Sequence, residues 1–308
     1  MGHKLKTQLY AALELASLPG IGAARFKALI AQYGNPVAAL AELAPPLENP
    51  RNKRRWTPAE IDRALQYPEG GITYYGAGDY PSLLGECPEP PPYLFWKGTL
   101  WPVTQPTVTL VGARDASEPG RLFAHTLAGN LAAHGVTTVS GGARGIDAAA
   151  HSGALAAGGL SLLIAATGID VVYPPENQAL FHNIQKNGSI ITELLPGTPP
   201  RRDFFPTRNR ILVGISQALI VIEGGSGSWS SARHALRLGR PIFAWNRSPY
   251  PALRQLPDLL LAKGALALSD PEPELVLRAI GVMRKTNAES APALGNCVIG
   301  EPGVIRVA

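Results

Sequence analysis

Two patterns of apolar residues divide the chain. As far as residue 68, apolar positions recur at helical spacing. They do so over Leu5–Leu18, over Ala23–Gln32 after the interruption Pro19-Gly20-Ile21-Gly22, and from Asn35-Pro36 through Leu43. Thr57-Pro58-Ala59-Glu60 predicts another helix start, with Thr57 as cap, Pro58 at the first position and Glu60 as the capping-box acid. From Pro106 onward short apolar runs take over. Thr107–Val111, Val136–Ser140, Leu160–Thr167, Ser189–Leu194, Ala218–Glu223 and Pro241–Trp245 read as buried strands, with a last short one at Ala265–Leu268. Helical stretches such as Arg121–His134 and Asp147–Ala157 separate most of them. Buried strands alternating with helices imply right-handed βαβ units. The expected fold class is therefore α/β, a doubly wound, mostly parallel sheet preceded by a small all-α domain.

Between the two patterns, residues 69–102 are rich in glycine, proline and aromatics, with extended pieces at Ile72–Tyr75 and Tyr93–Lys97. They read as a linker or small β extension. The expected organisation is a helical domain over 1–68, this connection over 69–102, the sheet domain over 103–282 and a polar tail over 283–308. No internal repeat is evident.

Composition narrows the class. The chain has 308 residues, 45% hydrophobic and 17% charged, which excludes a disordered polymer and suits two domains. A net charge of +5 favours an anionic partner without proving one. Two cysteines and six scattered histidines supply neither a disulfide framework nor metal-ligand spacing, so no metal and no cofactor are expected. The uncharged stretch Ser152–Ile169 is broken by glycines and reads as helix, turn and strand rather than a membrane span. Met1–Gln8 is polar and basic, unlike a signal peptide, so a cytoplasmic location is the default expectation.

Ligands of an open parallel sheet sit at the carboxyl ends of its strands. Those ends read Gly112-Ala113-Arg114, then Ser140-Gly141-Gly142-Ala143-Arg144-Gly145-Ile146-Asp147, then Thr167-Gly168 with Tyr173-Pro174-Pro175-Glu176-Asn177. Pro206-Thr207-Arg208-Asn209-Arg210 and Glu223-Gly224-Gly225-Ser226-Gly227-Ser228 follow. Glycine lets backbone N–H groups close on phosphate oxygens, and arginine adds charge in a bidentate fork. Singly, each arginine has a structural alternative: Arg144 pairing with Asp147, or Arg210 with Glu223. Four arginines on one solvent-facing rim point to phosphate. The dinucleotide fingerprint Gly-x-Gly-x-x-Gly is missing, and no serine, cysteine or histidine sits in a nucleophile elbow. His151 and His182 read as packed or helix-surface residues.

Ser140–His151 (SGGARGIDAAAH), Ile169–Asn177 (IDVVYPPEN), Phe205–Ile211 (FPTRNRI) and Gly225–Ala232 (GSGSWSSA), in this order, resemble the DNA-processing protein A (DprA/Smf) family. Leu18-Pro19-Gly20-Ile21-Gly22 and Tyr80-Pro81-Ser82-Leu83-Leu84 recur at family-like places, and the resemblance covers about residues 8–282. It implies an extended Rossmann-like domain behind a sterile-alpha-motif-like or helix-hairpin-helix-like helical domain, usually as a homodimer. It further implies a non-enzymatic protein that binds single-stranded DNA and loads the RecA recombinase onto it, notably in natural transformation. Carried over by position, Arg114, Arg144, Arg208 and Arg210 are phosphate contacts, Gly112, Ser140 and Gly141 the backbone cradle, and Phe205 either stacks on a base or serves as a core or turn aromatic. The Pro19–Gly22 turn either offers N–H groups to a phosphate or simply connects packed helices. This chain departs from the pattern at Gly142, where leucine is common, and over Trp245–Gln255. Residues 283–308 are also too short for the winged-helix domain that many members append.

The competing readings are a nucleoside-monophosphate phosphoribohydrolase and a nucleotide-sensing Rossmann-like protein. Gly224-Gly225-Ser226-Gly227-Ser228 resembles the hydrolases' glycine loop, but Ser231 stands where they need a glutamate, and Glu223 precedes the glycines.

Overall fold

The computed structural model describes residues 3–43, 55–67, 70–99 and 103–283. The sequence also carries a basic run, Arg51-Asn52-Lys53-Arg54-Arg55, that reads as a solvated loop or a binding element; its first four residues, and the expected tail after Met283, lie outside the described residues.

Four helices open the chain: α1 (His3–Ser17), α2 (Ala23–Tyr33), α3 (Pro36–Glu42) and α4 (Pro58–Leu65). Asn35 caps α3 by accepting from the Ala38 N–H, and Thr57 and Glu60 close a complete capping box on α4. Leu13, Phe26, Ile30 and Ile61 from these helices share one apolar cluster with Tyr93, Phe95, Leu163 and Ile190 of the sheet. The helices thus pack directly on one sheet face.

Nine strands form a single sheet. In chain order they are β1 (Gly71–Tyr74), β2 (Tyr93–Gly98), β3 (Thr107–Gly112), β4 (Thr137–Ser140), β5 (Ser161–Ile164), β6 (Gly188–Thr192), β7 (Ala218–Ile222), β8 (Ile242–Trp245) and β9 (Leu266–Ala267). Their spatial order is β1-β2-β6-β5-β4-β3-β7-β8-β9. All pairings from β6 to β9 are parallel, whereas β1–β2 and β2–β6 are antiparallel. Residues 71–98 therefore extend the main sheet at its edge, with a helical turn, α5 (Ser82–Gly85), between the two strands.

Between the strands run α6 (Glu118–Ala133), α7 (Ile146–Ala156), α8 (Gln178–Lys186), α9 (Phe204–Gly214), α10 (Ser226–Arg237) and α11 (Pro251–Ala262), and α12 (Glu274–Ala279) follows β9. Period-two alternation shows why β3 is covered on both sides. Val108 and Leu110 pack with Phe123, Leu127 and Ile146, while Val111 packs with Ile211, Leu212 and Ala232 on the opposite face. The chain winds outward from β3 through β4, β5 and β6, then returns to place β7 on the other side of β3. That reversal opens a crevice beyond the carboxyl ends of β3 and β7.

Candidate functional site

Two adjoining cavities occupy this crevice. The larger, of about 510 Å³, lies between the loop after β3 (Gly112 to Asp115) and the start of α10 (Gly225, Gly227, Ser228), with Asp147, Arg208 and Ser231 also in its wall. The smaller, of about 210 Å³, runs from Arg114 past Arg144 to Tyr173, Pro174 and Glu176. Arg114, Ala143 and Phe205 line both, so the two form one groove along the rim.

The four arginines do not share one environment. Arg114 is exposed, with its guanidinium 5.1 Å from the centroid of the Phe205 ring, and Tyr173 meets the same ring edge-on at 5.8 Å. Arg144 is also exposed. It lies 3.7 Å from Glu176 and 4.0 Å from Asp115, both in solvent, where such pairs contribute little.

The other two arginines correct the expectation of a solvent-facing rim. Arg208 on α9 is only 6% exposed and donates Nη1 to the carbonyls of Gly141 (2.9 Å) and Ile164. Burial lowers its pKa to about 10 against the opposing pull of Asp147, so it stays charged at neutral pH. Burial likewise pushes the Asp147 carboxyl up, opposed by Arg208 and the Ala143 N–H. Arg210 points the other way, donating to Glu193 and, at 3.3 Å, to the Glu89 carbonyl. It lines neither cavity. The suggested pairs Arg144–Asp147 and Arg210–Glu223 do not form; Asp147 faces Arg208, and Glu193 takes Arg210.

The residues expected as the cradle are tightly packed, and Gly112 and Gly141 line the two cavities. A Cβ on Gly112 would collide with the Ile222 carbonyl, and one on Gly141 would come within 2.7 Å of both the Arg208 guanidinium and the Asp147 carboxylate. Ser140 is fully buried and donates its hydroxyl to the Leu110 carbonyl at 2.6 Å. Gly142, at φ +78°, leaves a Cβ only 2.8 Å from Leu163, so the departure from leucine is built into this turn.

Glu223, fully buried at φ 55°, accepts from the Ser117 N–H at 2.8 Å and from the Ser117 hydroxyl. The start of α6, the usual phosphate position in such sheets, is thereby filled by the protein's own carboxylate. Ser231, where the phosphoribohydrolases need a glutamate, is 1% exposed. With Glu223 committed to Ser117, that hydrolytic reading has no carboxylate to use at this loop. Sequence reasoning placed this loop on the rim and in the family motif but assigned none of its residues to the site, whereas Gly225, Gly227, Ser228 and Ser231 line the larger cavity.

Among the described residues no helix is long and apolar enough to cross a membrane. The family model of DNA recombination-mediator protein A matches residues 71–277. The chain is 38% identical over 205 residues to protein Smf of Synechocystis, covering 65% of this chain and 50% of that protein. It is 33% identical over 211 residues to the DNA processing protein DprA of Bacillus subtilis, covering 67% and 71%. It spans about half the length of the Synechocystis and Mycobacterium tuberculosis relatives. The fold superposes on the DNA processing protein A of Streptococcus pneumoniae with a TM-score of 0.71 at 25% identity, covering 88% of this chain and 97% of that one. For the Helicobacter pylori protein, whose structure was described for its single-stranded DNA binding mode, the TM-score is 0.59 at 25% identity, covering 67% and 95%. With the family model spanning the whole sheet and its crevice, this chain belongs to the DNA recombination-mediator protein A (DprA/Smf) family.

Proposed function

We propose that the chain binds single-stranded DNA along the groove and delivers the strand to RecA, acting as a homodimer and without catalysing a reaction. The observation that carries this reading is the pair of exposed arginines, Arg114 and Arg144, on a continuous groove that also holds the half-buried ring of Phe205. Arg114 and Arg144 take successive phosphates. Phe205 holds the Arg114 guanidinium over the groove. Arg208 contributes positive potential from below, and Arg210 fastens α9 to Glu193. A flexible strand can follow a narrow curved groove and turn its bases outward, whereas a stiff duplex cannot. The relative from Helicobacter pylori described for single-stranded DNA binding supports the same choice.

The test is a gel shift comparing an oligonucleotide, its duplex and AMP at matched salt. Tighter binding of the single strand is expected, without sequence preference; equal affinity for strand and duplex overturns the reading. Delivery to RecA is read separately, as faster RecA filament assembly on strands already coated with single-strand-binding protein.

A further inference from the structure

We infer that the start of α10, rather than the loops after β3 and β4, is the cradle that closes on a phosphate group. Doubly wound sheets offer several helix starts at the crevice, and this chain fills two of them itself. Glu223 occupies the start of α6, and at α7, which also lacks a side-chain cap, the Ile146 N–H is taken by the Ala113 carbonyl at 3.1 Å. The start of α10 is left open: it follows Gly225 with no side-chain cap and faces the 510 Å³ cavity.

Two further observations point to a ligand there. Ser231 lines this cavity at 1% exposure, and its hydroxyl has no hydrogen-bond partner among the described residues; neither has the Nε of the buried Arg208. A buried unpaired hydroxyl is costly unless something arrives to pair with it. Moreover, a Cβ built on Gly225 or Gly227 meets nothing within 4 Å. Unlike Gly112 and Gly141, these glycines are not required by the protein's own packing, and they leave the backbone open to close approach. Ser228 ties the cradle to β3 by donating to the Gly112 carbonyl at 3.2 Å. Of the carboxylates in the wall, Asp147 is offset by Arg208 and Asp115 lies toward Arg144.

The ligand chemistry is a phosphate, supplied either by the backbone of a single strand or by a phosphomonoester such as a strand end or mononucleotide. The strand version rests on the proposed DNA binding; the phosphate site itself does not. The variants are Gly227→Val and Ser231→Ala, with Gly227→Ala as a milder control that suits the first turn of a helix. In the parent, inorganic phosphate and AMP should raise the melting temperature above that in chloride of equal ionic strength. Gly227→Val should lose this protection and bind an unphosphorylated oligonucleotide about tenfold more weakly, while unfolding at or near the parent temperature. Ser231→Ala should weaken both in the same direction. Stronger competition by a 5′-phosphorylated oligonucleotide than by an unphosphorylated one assigns the cradle to the strand end; equal competition assigns it to the backbone. If folded Gly227→Val and Ser231→Ala keep the parent's oligonucleotide affinity and phosphate protection, the cradle is overturned while the DNA-binding reading stands. If the parent binds no oligonucleotide yet shows phosphate protection that both variants lose, the cradle stands and the DNA-binding reading falls.

Discussion

Glu223 sits 106 residues from Ser117 in sequence, yet its carboxylate accepts both the Ser117 N–H and the Ser117 hydroxyl, joining the end of β7 to the start of α6. The arrangement depends on a backbone at φ 55°, uncommon for a side-chain-bearing residue, and on Gly120, where a Cβ would come within 2.6 Å of the carboxylate. The carboxylate does the work an anionic ligand does in nucleotide-binding sheets: it satisfies first-turn donors and opposes the helix dipole. Glu223→Ala should therefore lose about 2–3 kcal/mol of stability, read by urea unfolding. Glu223→Gln, which keeps one acceptor, should lose less. Equal stability of Glu223→Ala and the parent contradicts the capping role.

The arginines should separate into two classes. Arg114→Ala and Arg144→Ala remove exposed cations, so melting temperatures should change little, while the slope of log K against log salt flattens by roughly 0.7 per arginine. Arg208→Ala should behave differently. It strands the buried Asp147 carboxylate and the carbonyls of Gly141 and Ile164, a loss of about 3–5 kcal/mol that lowers the melting temperature by roughly 10 °C. A folded, unshifted Arg208→Ala protein with a flattened salt slope would return Arg208 to the exposed class.

That division marks where sequence reasoning stopped. The parallel strands β3 to β8 were legible because each is buried on both faces and so reads as a continuous apolar run. The antiparallel joining of residues 71–98 to β6 was not, because extended pieces carry no record of their partner strand. The rim was legible through the rule that loops follow carboxyl ends. Which way each arginine turns depends on tertiary neighbours: Arg208 and Arg210, two residues apart on α9, diverge to Gly141 on one side and Glu193 on the other. Glycine was informative only as a type. Gly112 and Gly227 look alike in sequence, and only the space around each tells a packing glycine from an open one.

Lys27 of α2 reaches the end of α5, donating to the carbonyls of Gly85 (3.1 Å), Glu86 (3.4 Å) and Cys87 (2.7 Å), with its ammonium 5.8 Å from the Tyr75 ring centroid. A cation on terminal helix carbonyls is favourable, and this one ties the N-terminal helices to the residues between β1 and β2. Lys27→Met keeps the aliphatic stem and removes the donors. It should cost about 1–2 kcal/mol and accelerate amide exchange in α2, with β3 and β7 unchanged. Uniform acceleration across the whole chain would show that the contact is not local.

His151, fully buried on α7, makes a 2.6 Å hydrogen bond with the Ser161 hydroxyl through Nδ1, and its Nε2 has no partner among the described residues. Burial, aided by the nearby Arg208 charge, lowers its pKa to about 3. The imidazole is therefore neutral in the folded protein down to strongly acid pH, while in the unfolded chain it protonates near 6.5. Between those values the unfolded state binds the extra proton, so this residue's contribution to stability is complete above about pH 6.5 and falls as pH drops toward 3. The raised pKa of Asp147 acts in the opposite sense, because there the folded state binds the proton more tightly as pH falls, so the comparison must be made against a variant at one site. His151→Asn can keep a partner for Ser161 while removing the titration. Urea unfolding at pH 7 and pH 5 should show the parent losing about 2 kcal/mol more than His151→Asn over that interval, whatever their offset at pH 7. Parallel losses in the two proteins would mean that His151 is protonated in the folded state, and that its unpartnered nitrogen reaches solvent.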